Sequence, residues 1–178
     1  PEVKKDMGIV SVKAEIESHL NEPALVTVRA HVFKLDEKLE PGTSPVAESV
    51  PATVTIPGNG NHNFRLDVPV TNPALWDTED PELYKMVVSV SQGNTLTDRY
   101  EVNFGFRTIQ FTPRDGFFLN GRKVEIKGVC NHHDLGALGA AFNIRAAERQ
   151  LEILREMGCN AIRTSHNPPA PELLDLCD

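Results

Sequence analysis

A chain of 178 residues holds one large or two modest domains, each able to bury a core. Acidic residues outnumber basic ones, 25 to 18, and no basic cluster is interleaved with aromatics, which excludes a nucleic-acid partner and favours a neutral, solvated one. No run reaches the ~18 apolar residues of a membrane span, no signal-peptide pattern opens the chain, and Pro1 in place of an initiator Met reads as a processed or excised piece.

From Gly8 to about Phe106 the sequence is a series of alternating apolar and polar runs. They cover Ile9 to Ile16, Ala24 to Leu35, Ser49 to Ile56, Asn63 to Val70, Tyr84 to Ser91 and Thr95 to Phe104. Period-two patterning of this kind marks half-buried strands. Turn chemistry separates the runs, as in Asn21-Glu22-Pro23, Glu40-Pro41-Gly42, Thr71-Asn72-Pro73 and Gln92-Gly93-Asn94, where preset or positive φ reverses the chain. No helical period is present in this half. Six or seven short strands in roughly 100 residues define an immunoglobulin-like sandwich in architecture, without the Cys…Trp…Cys core of antibody domains. Trp76, the single tryptophan, reads as a packing anchor rather than as a sugar-stacking platform.

The texture changes after Gly105-Phe106-Arg107. Phe111 to Gly116 reads as a connector, and Phe117 to Ile126 as a hairpin whose Asn120-Gly121 pair suits the positive φ values of a type I′ turn. The domain boundary falls near Thr112, giving a sandwich over 1–112 and a second part over 113–178. In that second part, Ile126 to Cys130 continues as a strand ending in Asn131-His132-His133-Asp134. Asn143 is then placed to cap a helix whose apolar positions Ile144, Ala147, Leu151, Leu154 and Met157 recur every three or four residues, with Gly158 as terminator. A further strand ends in Arg163-Thr164-Ser165-His166, and Pro171 sits at the first turn of a second helix.

A strand–helix–strand unit with a right-handed crossover lays its strands parallel and brings both carboxyl ends to one edge. His132, His133 and Asp134 therefore face the same side as Arg163, Ser165 and His166. In a (β/α)₈ barrel that side carries the chemistry. Imidazoles that donate or accept, beside a fixed guanidinium able to hold a carboxylate ionised, suit a polyhydroxylated ligand. Ser165 is adjacent to His166 and cannot pair with it as a nucleophile, so its hydroxyl reads as a hydrogen-bonding strut. Asn160 reads as structural. The competing chemistry is a metal site drawn from Cys130, His132, His133, Asp134 and His166, against which consecutive strand residues point to opposite faces. Three cysteines confined to the last third give no disulfide framework and leave the compartment open; Cys159 and Cys177 read as small buried hydrophobes.

The run Asn160-Ala161-Ile162-Arg163-Thr164-Ser165-His166-Asn167-Pro168, followed by Leu173, Leu174, Cys177 and Asp178, resembles the signature of glycoside hydrolase family 2. Leu75-Trp76 with Pro81 and Leu83-Tyr84 resembles a structural loop of that family's sandwich domain. Gly105-Phe106-Arg107 followed by Phe118-Leu119-Asn120-Gly121 resembles its passage from sandwich to barrel. The family includes β-galactosidases, β-glucuronidases and β-mannosidases, and Cys130-Asn131-His132-His133-Asp134 is more similar to the β-galactosidase branch.

The resemblance implies a fragment: a sandwich domain and an incomplete (β/α)₈ barrel, with two of its strands present. It implies a parent retaining glycosidase whose two catalytic glutamates lie on later strands, so that no catalytic residue belongs to this chain. His166, Arg163, His132 and Asp134 become substrate-binding or supporting residues, with Arg163 beside the nucleophilic carboxylate. No metal and no cofactor is implied, and the partner is a carbohydrate substrate. The family's Ser-His-Tyr-Pro is replaced here by Ser165-His166-Asn167-Pro168, and its frequent Arg-His-Glu by Asn131-His132-His133. The isolated fragment is expected to be inactive and, with its barrel open, to self-associate or to leave its last ~60 residues poorly ordered, since a closed barrel needs about 250 residues. The alternatives are a stand-alone carbohydrate-binding or structural immunoglobulin-like module, or a β-glucuronidase or β-mannosidase parent.

Overall fold

In the segment Asn61–Thr71, Phe64, Leu66, Val68 and Val70 are buried while Arg65 and Asp67 between them face solvent. That alternation fixes one face of a strand against a core and fixes its register, because a slip by one residue would expose the whole apolar set. A computed structural model describes residues 1–178 and divides them into two units, Pro1–Thr108 and Ile109–Asp178.

The first unit contains eight strands and no helix: β1 (Glu2–Lys4), β2 (Met7–Glu17), β3 (Ala24–Lys34), β4 (Ala47–Glu48), β5 (Ala52–Ile56), β6 (Asn61–Thr71), β7 (Tyr84–Gln92) and β8 (Thr95–Phe104). One sheet runs β1-β2-β6. The other runs β4-β3-β7-β8, with β5 also paired to β3. Every pairing is antiparallel. Val28, Val32, Ile56, Val68 and Phe106 have no exposed surface and form the centre of the core between the sheets. Burying such side chains stabilises the unit by about 1.5–3 kcal/mol each. This is the sandwich that the alternation predicts. Strands β1 and β4 were not visible in the pattern, since three-residue and two-residue strands carry no usable period.

Trp76 serves as an anchor of this unit. Its backbone N–H donates to the Phe106 carbonyl at 2.8 Å, and the Arg107 guanidinium lies 4.8 Å from its ring centroid. Gly105 is packed so closely that a Cβ there would come 2.8 Å from Trp76 Cβ. Tyr84, Phe104 and Phe106 form an aromatic cluster, with Tyr84 and Phe106 edge to face at 5.2 Å.

The second unit begins with a three-stranded antiparallel sheet, β9 (Ile109–Thr112), β10 (Gly116–Leu119) and β11 (Arg122–Lys123). The stretch read as a connector is therefore partly strand: Phe111 and Thr112 pair with β10, and only Pro113 to Asp115 turn, with Asp115 N–H donating to Thr112 Oγ1 at 2.9 Å. A four-residue strand has too few positions to show alternation and is defined by its pairing. The turn between β10 and β11 has Asn120 at φ 51° and Gly121 at φ 76°, the left-handed pair that the Asn-Gly sequence predicts.

Strand β12 (Gly128–His132), a single 3₁₀ turn (Gly136–Leu138), helix α1 (Ile144–Glu156), strand β13 (Ala161–Ser165) and helix α2 (Pro171–Cys177) complete the unit. Asn143 caps α1 by accepting from the Ala146 N–H at 3.0 Å. The helix ends in a Schellman motif, with Gly158 at φ 86° donating to the Arg155 carbonyl and Cys159 N–H donating to the Leu154 carbonyl. Of the periodic helix positions, Ala147 is buried and Leu151 and Leu154 are half-buried, but Ile144 and Met157 are exposed, because no element of this chain covers the two ends of that stripe. The cysteines also depart from expectation. Cys159 is half-buried, whereas Cys177, at the end of the short α2, is exposed.

Candidate functional site

Strands β12 and β13 pair in parallel, with Gly128 opposite Ala161, Cys130 opposite Arg163 and His132 opposite Ser165. The α1 crossover imposes this direction, and it carries both carboxyl ends to one edge. Gly128 permits the close approach: a Cβ there would lie 2.6 Å from the Ala161 carbonyl oxygen. Asn160 fixes the start of the pair. Its side-chain carbonyl accepts from Lys127 N–H at 2.8 Å and its amide donates to the Glu125 carbonyl at 2.9 Å, the structural role its position predicts.

Alternation sorts the strand residues by face. Cys130, His132, Arg163 and Ser165 share one face; Val129, Asn131, Ile162 and Thr164 share the other. On the first face the Arg163 Nη1 donates to Ser165 Oγ at 3.0 Å and lies 3.7 Å from Cys130 Sγ. Ser165 is buried, and its hydroxyl is a strut, as read from the sequence. Beyond the strand ends, the rings of His132 and His166 meet edge to face, with centroids 5.3 Å apart and planes at 89°. The peptide bond joining Ser165 to His166 is cis.

Asp134 and His133 are placed differently. The Asp134 carboxylate accepts from Gly136 N–H at 2.8 Å, and the Asp134 carbonyl accepts from Gln150 Nε2 at 3.4 Å. Together with His132, His133 and Asp134 line a cleft between the β12 end and the helices, closed below by Ala147, Gln150 and Leu173. The four proposed site residues thus fall into two neighbouring groups. Arg163 and His166 belong to the strand-face group, Asp134 to the cleft, and His132 to both. No group of three His, Cys, Asp or Glu side chains has the arrangement of a metal site. Cys130, read only as a metal-ligand type, is instead a neighbour of Arg163. The signal that would have found this was available, since Cys130 lies two residues before His132 and so shares its face.

A two-sheet sandwich succeeded in the chain by a parallel strand–helix–strand unit, with imidazole and guanidinium groups at the strand ends, is the plan of a modular enzyme built on a (β/α) barrel. The chain matches the model of glycosyl hydrolases family 2 over residues 1–107 and the TIM barrel domain of that family over 112–178. It belongs to glycosyl hydrolases family 2. It is 57% identical over 115 residues to the β-galactosidase BoGH2A of Bacteroides ovatus, a match covering 65% of this chain and 14% of that protein. It is 36% identical over 115 residues to a β-glucuronidase of Bacteroides fragilis, covering 64% of this chain and 16% of that one. The crystal structure of a family 2 member from Bacteroides cellulosilyticus superposes with a TM-score of 0.87 at 32% identity, covering 99% of this chain and 23% of that chain. The chain therefore spans about a sixth or less of the length of these curated relatives. No helix is long and apolar enough to cross a membrane.

Proposed function

We propose that this chain is a sandwich domain followed, past a passage near Thr112 that strand β9 opens, by the start of the catalytic barrel of a retaining β-glycosidase, with a β-galactoside as the substrate of the parent enzyme. The observation that carries the reading is the shared edge of β12 and β13, where the paired rings of His132 and His166 stand beside the face that holds Arg163. Imidazoles at that edge bind sugar hydroxyls, and Arg163 supplies positive charge to the nucleophilic carboxylate of a later strand. Asp134 contributes to substrate binding from the adjacent cleft.

Retaining hydrolysis needs two carboxyl groups about 5 Å apart. The strand-end edge of this chain offers Asp134 alone, and that carboxylate already accepts from Gly136 N–H. The chain by itself is accordingly inactive. Two observations favour a galactoside over a glucuronide: the 57% identity to a β-galactosidase, and the acidic Asp134 beside the site, which repels a uronate carboxylate. The test is to assay the 178-residue chain and the longer polypeptide that contains it on nitrophenyl β-galactoside and nitrophenyl β-glucuronide. The reading expects hydrolysis of the galactoside by the longer polypeptide only. Hydrolysis by the 178-residue chain, abolished by His166→Ala, would overturn the assignment of the chemistry to later strands.

A further inference from the structure

We infer that Ser165 and Cys130 are positioning residues for Arg163, holding its guanidinium in one orientation on the β12–β13 face. The inference rests on the reading of Arg163 as the cation beside the reacting centre and deepens it.

A guanidinium has five N–H donors, two of them on Nη1. Nη1 reaches two acceptors of different kinds: the hydroxyl of Ser165 at 3.0 Å and the thiol sulfur of Cys130 at 3.7 Å. The register makes this possible, since Cys130 lies directly across the ladder from Arg163 and Ser165 lies two residues further along the same strand face. Ser165 is only 3% exposed, so its hydroxyl is a fixed point rather than a mobile surface group. Arg163 itself is exposed, and an exposed arginine without such contacts samples many rotamers. Two contacts on one nitrogen leave the Nε–Nη2 edge of the plane to receive a carboxylate through two parallel hydrogen bonds. A cation so held needs no reorganisation when charge develops at the reacting centre.

The test has a structural and a kinetic part. In the isotopically labelled 178-residue chain, hindered rotation of the Arg163 guanidinium gives separate Nη1 and Nη2 signals. The inference expects them to merge in Ser165→Ala and to broaden in Cys130→Ala, a substitution at an exposed position that leaves the fold intact. In the longer polypeptide, Ser165→Ala is expected to lower kcat about tenfold, the loss of one hydrogen bond to a charged group, with KM changed less than twofold. Separate Nη signals that survive both substitutions, or an unchanged kcat in the double variant while Arg163→Lys loses activity, would overturn the inference and leave the proposed function standing. Full activity in Arg163→Ala would remove the proposed role of Arg163, and the inference with it.

Discussion

His132 and His166 pack edge to face with their ring centroids 5.3 Å apart, although one closes the first parallel strand and the other follows the end of the second. The contact exists because the α1 crossover sets β12 and β13 parallel and in register, so that two imidazoles distant in sequence share one sheet edge. Both side chains are exposed, which separates their function from stability. His132→Ala and His166→Ala in the longer polypeptide are each expected to lower kcat/KM by about 10- to 100-fold, the value of one or two hydrogen bonds to the reacting sugar. Urea unfolding of the 178-residue chain carrying either change should shift by less than about 0.5 kcal/mol. A large stability loss with unchanged kinetics would make the pair a structural contact.

Gly105 lies against the indole of Trp76, and Gly8 against the ring of Phe106. Neither site has room for a Cβ, so the neighbouring aromatic must move. Gly105→Ala and Gly8→Ala are expected to destabilise the sandwich by about 1–3 kcal/mol, as overpacking does. Because Trp76 is the single tryptophan, its fluorescence in a denaturant titration reports the first unit directly.

Tyr84 is 3% exposed, and burial raises the pKa of its phenol above the usual value, although the hydrogen bond it accepts from Ala74 N–H opposes the shift. A folded-state pKa above the unfolded value means that the neutral phenol is favoured in the fold. Its stabilisation is therefore complete below the unfolded pKa of about 10 and is lost as pH rises through the folded value. Unfolding free energies measured from pH 8 to 11 should fall more steeply for the native chain than for Tyr84→Phe. The variant should start about 1 kcal/mol lower, because Ala74 N–H loses its acceptor.

Strands β12 and β13 form a sheet of two, each with an open edge, and Phe111 and Ile126 of the same unit are 71% and 55% exposed. Unpaired edges and apolar surface of this kind drive association. Sedimentation of the 178-residue chain is expected to show a concentration-dependent oligomer. A monodisperse monomer with every amide of the second unit ordered would contradict that expectation.

Strands such as β3 and β6 were legible because their burial follows period two: Phe64, Leu66, Val68 and Val70 read inward before any pairing is known. Strand β8 departs from the half-buried expectation, since it is exposed along nearly its whole length and is held by its pairing with β7 alone. The Asn120-Gly121 turn, the Asn143 cap and the Gly158 terminator were legible because each residue type answers one local backbone need. Strands β1, β4 and β9 were not, since their identity lies in a partner strand rather than in their own two to four residues. At the site, parallel direction and shared edge followed from topology, which placed His132 and His166 together. What topology could not give was the division of the acidic and basic groups. Asp134 turns into a loop hydrogen bond and a cleft, while Arg163 is held by Ser165 and Cys130, and both outcomes depend on side-chain reach rather than on spacing.

The most direct test of the account is to read the gene onward from the codon for Asp178. The frame is expected to continue in strand–helix repeats for most of a barrel of about 250 residues, with an Asn-Glu pair at one strand end and a second glutamate at a later one. A stop codon directly after Asp178 would contradict it, and would leave His132, Arg163 and His166 as surface residues of a binding or structural module.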